Sequence, residues 1–119
     1  MHALDLEDLK KPEITFWAIW DGDILVGCGA LKELDVEHGE IKSMRTADAA
    51  LGRGVGKALL DHIVETARSE RMTRLSLETG STEQFAAANR LYERDGFDLC
   101  GPFGGYRDTP FTRFLTRKI

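Results

Sequence analysis

Residues 51–60 read LGRGVGKALL, and no other ten residues constrain the fold as much. Glycines at 52, 54 and 56 precede a pattern in which Val55, Leu59, Ile63 and Ala67 recur at helical spacing, with Leu60 and Val64 beside them. That periodicity predicts an amphipathic helix over 55–70. Before it, 39–46 (GEIKSMRT) reads as a strand, and after it 74–79 (RLSLET) alternates with Leu75 and Leu77 on one face. Strand, loop, helix, strand is a βαβ unit, so the two strands run parallel and are joined by a right-handed crossover. Glycines placed just ahead of a helix also imply that something comes close to the backbone there.

The flanking segments extend this unit on both sides. Runs 14–20 (ITFWAIW) and 24–31 (ILVGCGAL) are β-rich, and Asp21-Gly22 between them signals a tight hairpin. Strict alternation in 39–46 puts Glu40, Lys42, Met44 and Thr46 on one face, and Ile41, Ser43 and Arg45 on the other. Ser81-x-x-Gln84 has the form of a capping box for a second helix, which carries Phe85, Ala88 and Tyr92 on one stripe and ends at Gly96. Runs 97–100 and 111–117 (FTRFLTR) are closing strands, separated by the turn-rich GPFGGYRDTP. The expectation is an α/β chain with a mixed, mostly antiparallel sheet and one parallel pair. Residues 1–119 are read as one domain, with 1–13 a short N-terminal segment.

Composition removes several function classes. Sixteen Lys and Arg against 20 Asp and Glu give a net charge of -4, which argues against a nucleic-acid partner. Apolar runs fall well short of the roughly 18 residues of a membrane span, and the start MHALDLEDLKK does not resemble a signal peptide. No membrane contact and a cytoplasmic location are therefore expected. Cys28 and Cys100 sit singly on strand-like segments, which favours reduced core residues over a disulfide. Neither a metal-ligand spacing nor a Ser/His/Asp arrangement is visible. Charge is uneven, however: 41–58 holds Lys42, Arg45, Arg53 and Lys57 against the single acid Asp48, a basic island on an acidic chain.

Three phosphate-loop readings of this island can be separated. A P-loop needs four residues between its first glycine and Gly-Lys, then Ser or Thr; Gly52 is one residue too close and Ala58 follows Lys57. A dinucleotide fingerprint started at Gly52 or Gly54 lacks its last glycine. The third pattern, Arg53-x-x-Gly56-x-Ala58, resembles the Q/R-x-x-G-x-G/A signature of the Gcn5-related N-acetyltransferases (GNAT), which use acetyl-coenzyme A. Leu91-Tyr92-Glu93-Arg94-Asp95-Gly96-Phe97 is similar to the LYE-x-x-GF run of the same superfamily. The resemblance covers about residues 14 to 119.

The resemblance implies an acetyl-CoA-dependent transferase acting on a primary amine of a small molecule or an exposed protein amino group, without a metal. It implies that Arg53, Gly54, Val55, Gly56, Lys57 and Ala58 hold the diphosphate. Helix N-terminal amides and the helix dipole would add about 0.3–1 kcal/mol there. It places pantetheine along Met44, Arg45 and Thr46, and makes Tyr92 the proton donor to the leaving thiolate. Glu40 occupies the place of a catalytic glutamate and is the best candidate base; a solvated strand-end carboxylate beside Lys42 is the plainer alternative. His38 has a suitable reference pKa near 6.5, and Glu33 and Glu78 are weaker candidates.

Two departures from the superfamily pattern stand out. The strand and two helices that usually cover the acceptor pocket have no counterpart ahead of residue 14, so a partner chain or an open cleft is expected in their place. Phe85 stands where many relatives carry an Asn that binds pantetheine, seven residues before the tyrosine. A non-catalytic acyl-CoA-binding module is the competing reading. Exposed edges at the first and the C-terminal strands favour a homodimer.

Overall fold

The computed structural model describes residues 12–119. Among these, six strands form one sheet: β1 (Ile14–Asp21), β2 (Ile24–Glu33), β3 (His38–Thr46), β4 (Arg74–Gly80), β5 (Asp98–Cys100) and β6 (Thr112–Lys118). Their spatial order is β1-β2-β3-β4-β6-β5. β3 and β4 run parallel and every other neighbouring pair is antiparallel. Helix α1 (Val55–Ser69) makes the crossover between the parallel strands, and α2 (Ala86–Arg94) follows β4. The mixed sheet with a single βαβ unit is the architecture read from the sequence.

One face of the sheet carries the core. Leu59, Leu60, Ile63, Val64 and Ala67 of α1 pack with Leu31, Ile41, Leu75, Leu77 and Leu115 of the strands, and α2 contributes Tyr92. Each fully buried Leu or Ile is worth about 1.5–3 kcal/mol, enough for one stripe to hold α1 in place. Gly27 and Gly29 set how deep the helix sits. A Cβ at Gly27 would lie 2.8 Å from Val55 Cγ1, and one at Gly29 3.0 Å from Leu59 Cδ2.

Several local expectations are corrected. The hairpin turn is Gly22-Asp23, since Asp21 already pairs with Ile24, and Gly22 takes the left-handed φ of 61° that such a turn needs. The capping box does not form: a 3₁₀ turn, Glu83–Phe85, leads into α2 without a side-chain cap, and Ser81 Oγ donates to the Pro110 carbonyl instead. The C-terminal strand is not an edge, because β6 lies between β4 and β5; the edges are β1 and β5. Cys28 and Cys100 are free and only half-buried rather than core, and three strands separate β2 from β5.

The most consequential correction lies in β3. Cys28 pairs with Arg45 but Ala30 pairs with Lys42, so Ser43 and Met44 together oppose Gly29. This is a β-bulge, and Ser43 adopts φ 57° within it. Alternation holds through Lys42 and is then reset. Met44 leaves the face of Glu40 and Lys42 and packs on the core beneath α1, close to Gly29.

Candidate active site

β3 and β4 are paired only from His38 with Arg74 to Ile41 with Leu77. Beyond that point β3 stays on β2 as far as Thr46, and β4 stays on β6 as far as Gly80. The parallel strands therefore part, and the bulge at Ser43 is the local cause, since an extra residue bends and twists its strand. The facing edges of 42–46 and 78–80 no longer pair with each other. A groove of about 450 Å³ runs from this gap to the start of α1, lined among others by Met44, Thr46, Gly54, Phe85, Leu91 and Tyr92.

The glycine turn forms one end of the groove. Gly52 and Gly54 have φ of 78° and 80°, a left-handed conformation that costs other residues roughly 1–2 kcal/mol, and a Cβ on either would meet no atom within 4 Å. Gly54 is the N-cap of α1, whose first turn has no side-chain cap and no acidic residue. The first intrahelical bond is Ala58 N–H to the Gly54 carbonyl, 3.0 Å, which leaves the amides of Val55, Gly56 and Lys57 ahead of it. Gly56 matters for packing instead, because a Cβ there would lie 3.2 Å from Leu91 Cδ2; its absence lets α2 approach α1. Both cations of the turn are engaged by carboxylates. Arg53 Nη2 donates to Asp21 Oδ2 at 2.9 Å, and Lys57 Nζ bonds Asp61 at 2.5 Å and stands 3.5 Å from Asp95.

At the other end of the groove Tyr92 is 6% exposed, packs edge-on against Phe97, and holds its hydroxyl 4.0 Å from Met44 Sδ. Burial pushes its phenol up to about 12, so it carries its proton at neutral pH. The Phe85 ring lies over Gly80, where a Cβ would come within 2.1 Å of it. Asn89 is buried on α2, and its Nδ2 donates to the Gly80 carbonyl at 2.9 Å. That bond ties α2 to β4.

On the opposite face of the sheet the polar side chains Glu40, Ser76 and Glu78 of β3 and β4 are buried. Glu40 is 3% exposed, and its Oε2 accepts a 2.5 Å hydrogen bond from the Tyr106 hydroxyl, with Lys42 Nζ 3.6 Å away. It is not a solvated strand-end glutamate. Phe103 and Tyr106, from the stretch read only as turns, pack their rings on Phe114 of β6, and Phe103 also meets His38. His38 Nε2 shares a 2.6 Å hydrogen bond with Ser76 Oγ, and burial lowers its pKa in spite of Asp35. Glu78 is buried on β4, opposite Phe114 in register.

Of the residues predicted for the cofactor and the acid, all but Arg53 and Ala58 line the groove, whereas Glu40 and the weaker base candidates His38, Glu33 and Glu78 do not. Arg53 lies within the glycine turn and Ala58 on the exposed side of the first helical turn. Glu40 lies on the other face, beside the point where the strands part. Tyr106 was missed. Its only advance signal was an aromatic in a glycine-rich stretch, and which strand such a residue covers depends on tertiary packing.

A parallel pair opened by a bulge, with a glycine turn and an uncapped helix at one end of the gap, belongs to the acyl-CoA transferases, and the comparisons agree. The chain matches the Acetyltransferase (GNAT) family over residues 1–97 and is a member of it. It is 56% identical to the uncharacterized N-acetyltransferase YsnE of Bacillus subtilis, covering 100% of this chain and 79% of that one. It is 50% identical to the uncharacterized N-acetyltransferase YedL of Escherichia coli, covering 99% and 74%. A crystal structure from Klebsiella pneumoniae, assigned to the acyl-CoA N-acyltransferases, superposes with a TM-score of 0.86 at 30% identity over 97% of this chain and 79% of that one. The protein is thus a GNAT acetyltransferase. No helix among the described residues is long and apolar enough to cross a membrane.

Proposed function

We propose that the protein moves an acetyl group from acetyl-CoA to a primary amine of a small molecule or an exposed protein amino group, within one domain spanning 1–119. The observation that carries this reading is the gap between β3 and β4, with the glycine turn at one end and Tyr92 beside it. The open space over Gly52 and Gly54 and the unused first-turn amides suit a diphosphate, with Arg53 and Lys57 leaving their carboxylates to meet it. The free edge of β3 at Met44, Arg45 and Thr46 offers backbone groups to the amides of pantetheine, as an added strand would use them.

On this reading the gap joins the two faces of the sheet, and the proton steps divide between them. From the core side Tyr92, protonated at neutral pH, donates to the departing thiolate. From the polar side the amine enters and Glu40 takes its proton, directly or through one water. The amine nitrogen then attacks the thioester carbon and the carbon–sulfur bond breaks. A homodimer through the β1 edge belongs to the same reading, supported by the exposure of Phe16 and Trp20 there.

Titration calorimetry with CoA, together with thiol release from acetyl-CoA in the presence of a panel of primary amines, tests the reading. Saturable binding and amine-dependent thiol release are expected. Binding without turnover on any amine would instead leave a CoA-binding module.

A further inference from the structure

Glu40 is buried, yet its carboxylate is held by a side chain from a distant part of the chain. Tyr106 O–H donates to Glu40 Oε2 at 2.5 Å, and the same phenol oxygen accepts from Lys42 Nζ at 2.5 Å. The Lys42 ammonium also stands 5.2 Å from the centroid of the Tyr106 ring. The ring is seated edge-on against Phe103, with centroids 5.5 Å apart, and tilted on Phe114 at 6.0 Å. The segment that brings Tyr106 here contains Gly101, Gly104 and Gly105 and has no strand or helix of its own. Ring packing, not a backbone ladder, holds it in place.

We propose that Tyr106 is the positioning residue of the base: its hydroxyl, oriented by Lys42, fixes Oε2 of Glu40 and so directs Oε1 toward the acceptor side of the gap. The proposal rests on the reading of Glu40 as the base. Burial, then the hydrogen bond and charge of Glu40, push the Tyr106 phenol strongly upward, so it stays a donor to the carboxylate across the working pH range. Tyr106 touches no reacting atom. It acts by limiting where Glu40 can point, and a misplaced base costs orders of magnitude in rate. The same contact makes the 101–111 segment part of the acceptor site.

A double-mutant cycle tests this. Tyr106→Phe keeps the ring and removes the hydroxyl; Glu40→Gln removes the base; the pair combines both. The turnover of all four proteins is read by thiol release from acetyl-CoA with the best acceptor among tyramine, spermidine and Nα-acetyl-lysine, and CoA affinity serves as the fold control. Tyr106→Phe should lower kcat roughly 10- to 100-fold with CoA affinity unchanged. In the Glu40→Gln background it should change kcat less than about twofold, because a positioning residue has nothing left to position. Equal losses in both backgrounds would overturn the coupling while leaving Glu40 as base. Full turnover by Glu40→Gln alone would remove the base assignment, and the proposal with it.

Discussion

The Tyr92 hydroxyl stands 4.0 Å from Met44 Sδ, a donor facing a sulfur that accepts only weakly. With the phenol nearly buried and aimed at so weak an acceptor, the proposed reading makes it the donor to a thiolate in the gap. Tyr92→Phe keeps the packing against Phe97 and removes that donor. Turnover should fall roughly 10- to 1000-fold, the span of general acid effects, with CoA affinity held. Stopped assays of thiol release alongside CoA titration check it; full turnover would discard Tyr92 as the acid.

The same residue predicts a response to alkali. Its folded pKa is about 12 against a reference near 10, so the unfolded chain loses this proton first as pH rises. The folded state then binds more protons than the unfolded one, and stability falls between about pH 10 and 12. In Tyr92→Phe that part of the decline should be missing. Urea unfolding of both proteins at pH 9, 10 and 11 measures it.

Much of this was legible because it depends on local pattern. The 3.6-residue period of α1, the strand alternation and the glycine turn each report on their own few residues, and together they dictate a βαβ unit. What was hidden depends on distant pairing. The bulge at Ser43, which moves Met44 to the face of Tyr92, exists only in the register against Gly29. Tyr106 meets Glu40 across 66 residues, through ring contacts that no periodicity encodes. Asn89 likewise breaks the apolar pattern of a buried helix face because it bonds the Gly80 carbonyl.

The glycines of the turn should separate into two kinds. Gly54 is left-handed and faces open space, so Gly54→Ala is expected to lower stability by about 1–2 kcal/mol and to weaken CoA binding as well. Gly56 is helical and faces Leu91 at 3.2 Å, where a small shift of a half-buried side chain offsets the roughly 1 kcal/mol gain in helix propensity. Gly56→Ala should therefore stay within about 1 kcal/mol of the parent. Thermal unfolding and CoA titration of both variants give the comparison, and equal effects at the two positions would contradict it.

Arg53 is engaged by Asp21 through two side chains that are more than half exposed, so the pair adds little to folding. On the proposed reading it competes with a diphosphate for the guanidinium. Asp21→Asn should tighten CoA binding about 1.5- to 5-fold, the worth of an exposed ion pair. Arg53→Ala should weaken binding by about 1–2 kcal/mol, less so in added salt. Calorimetry at two salt concentrations checks both, and an Asp21→Asn protein that binds CoA more weakly would show that Arg53 serves the hairpin and not the ligand.

Glu40 carries the base assignment, and the pH dependence of its loss distinguishes proton removal from acceptor binding. At neutral pH an alkyl amine is almost wholly protonated, so an enzyme with a base at the gap gains most there. As pH approaches the pKa of the amine, free amine arrives already deprotonated and the base has less to contribute. Glu40→Gln, which keeps size and hydrogen-bonding capacity but cannot take the proton, should show its largest deficit at low pH and a narrowing one as pH rises. Two acceptors of different pKa sharpen the test, because the narrowing should track each amine's own titration. A deficit of constant size across pH, expressed mainly in the KM for the amine, would assign Glu40 to holding the ammonium instead.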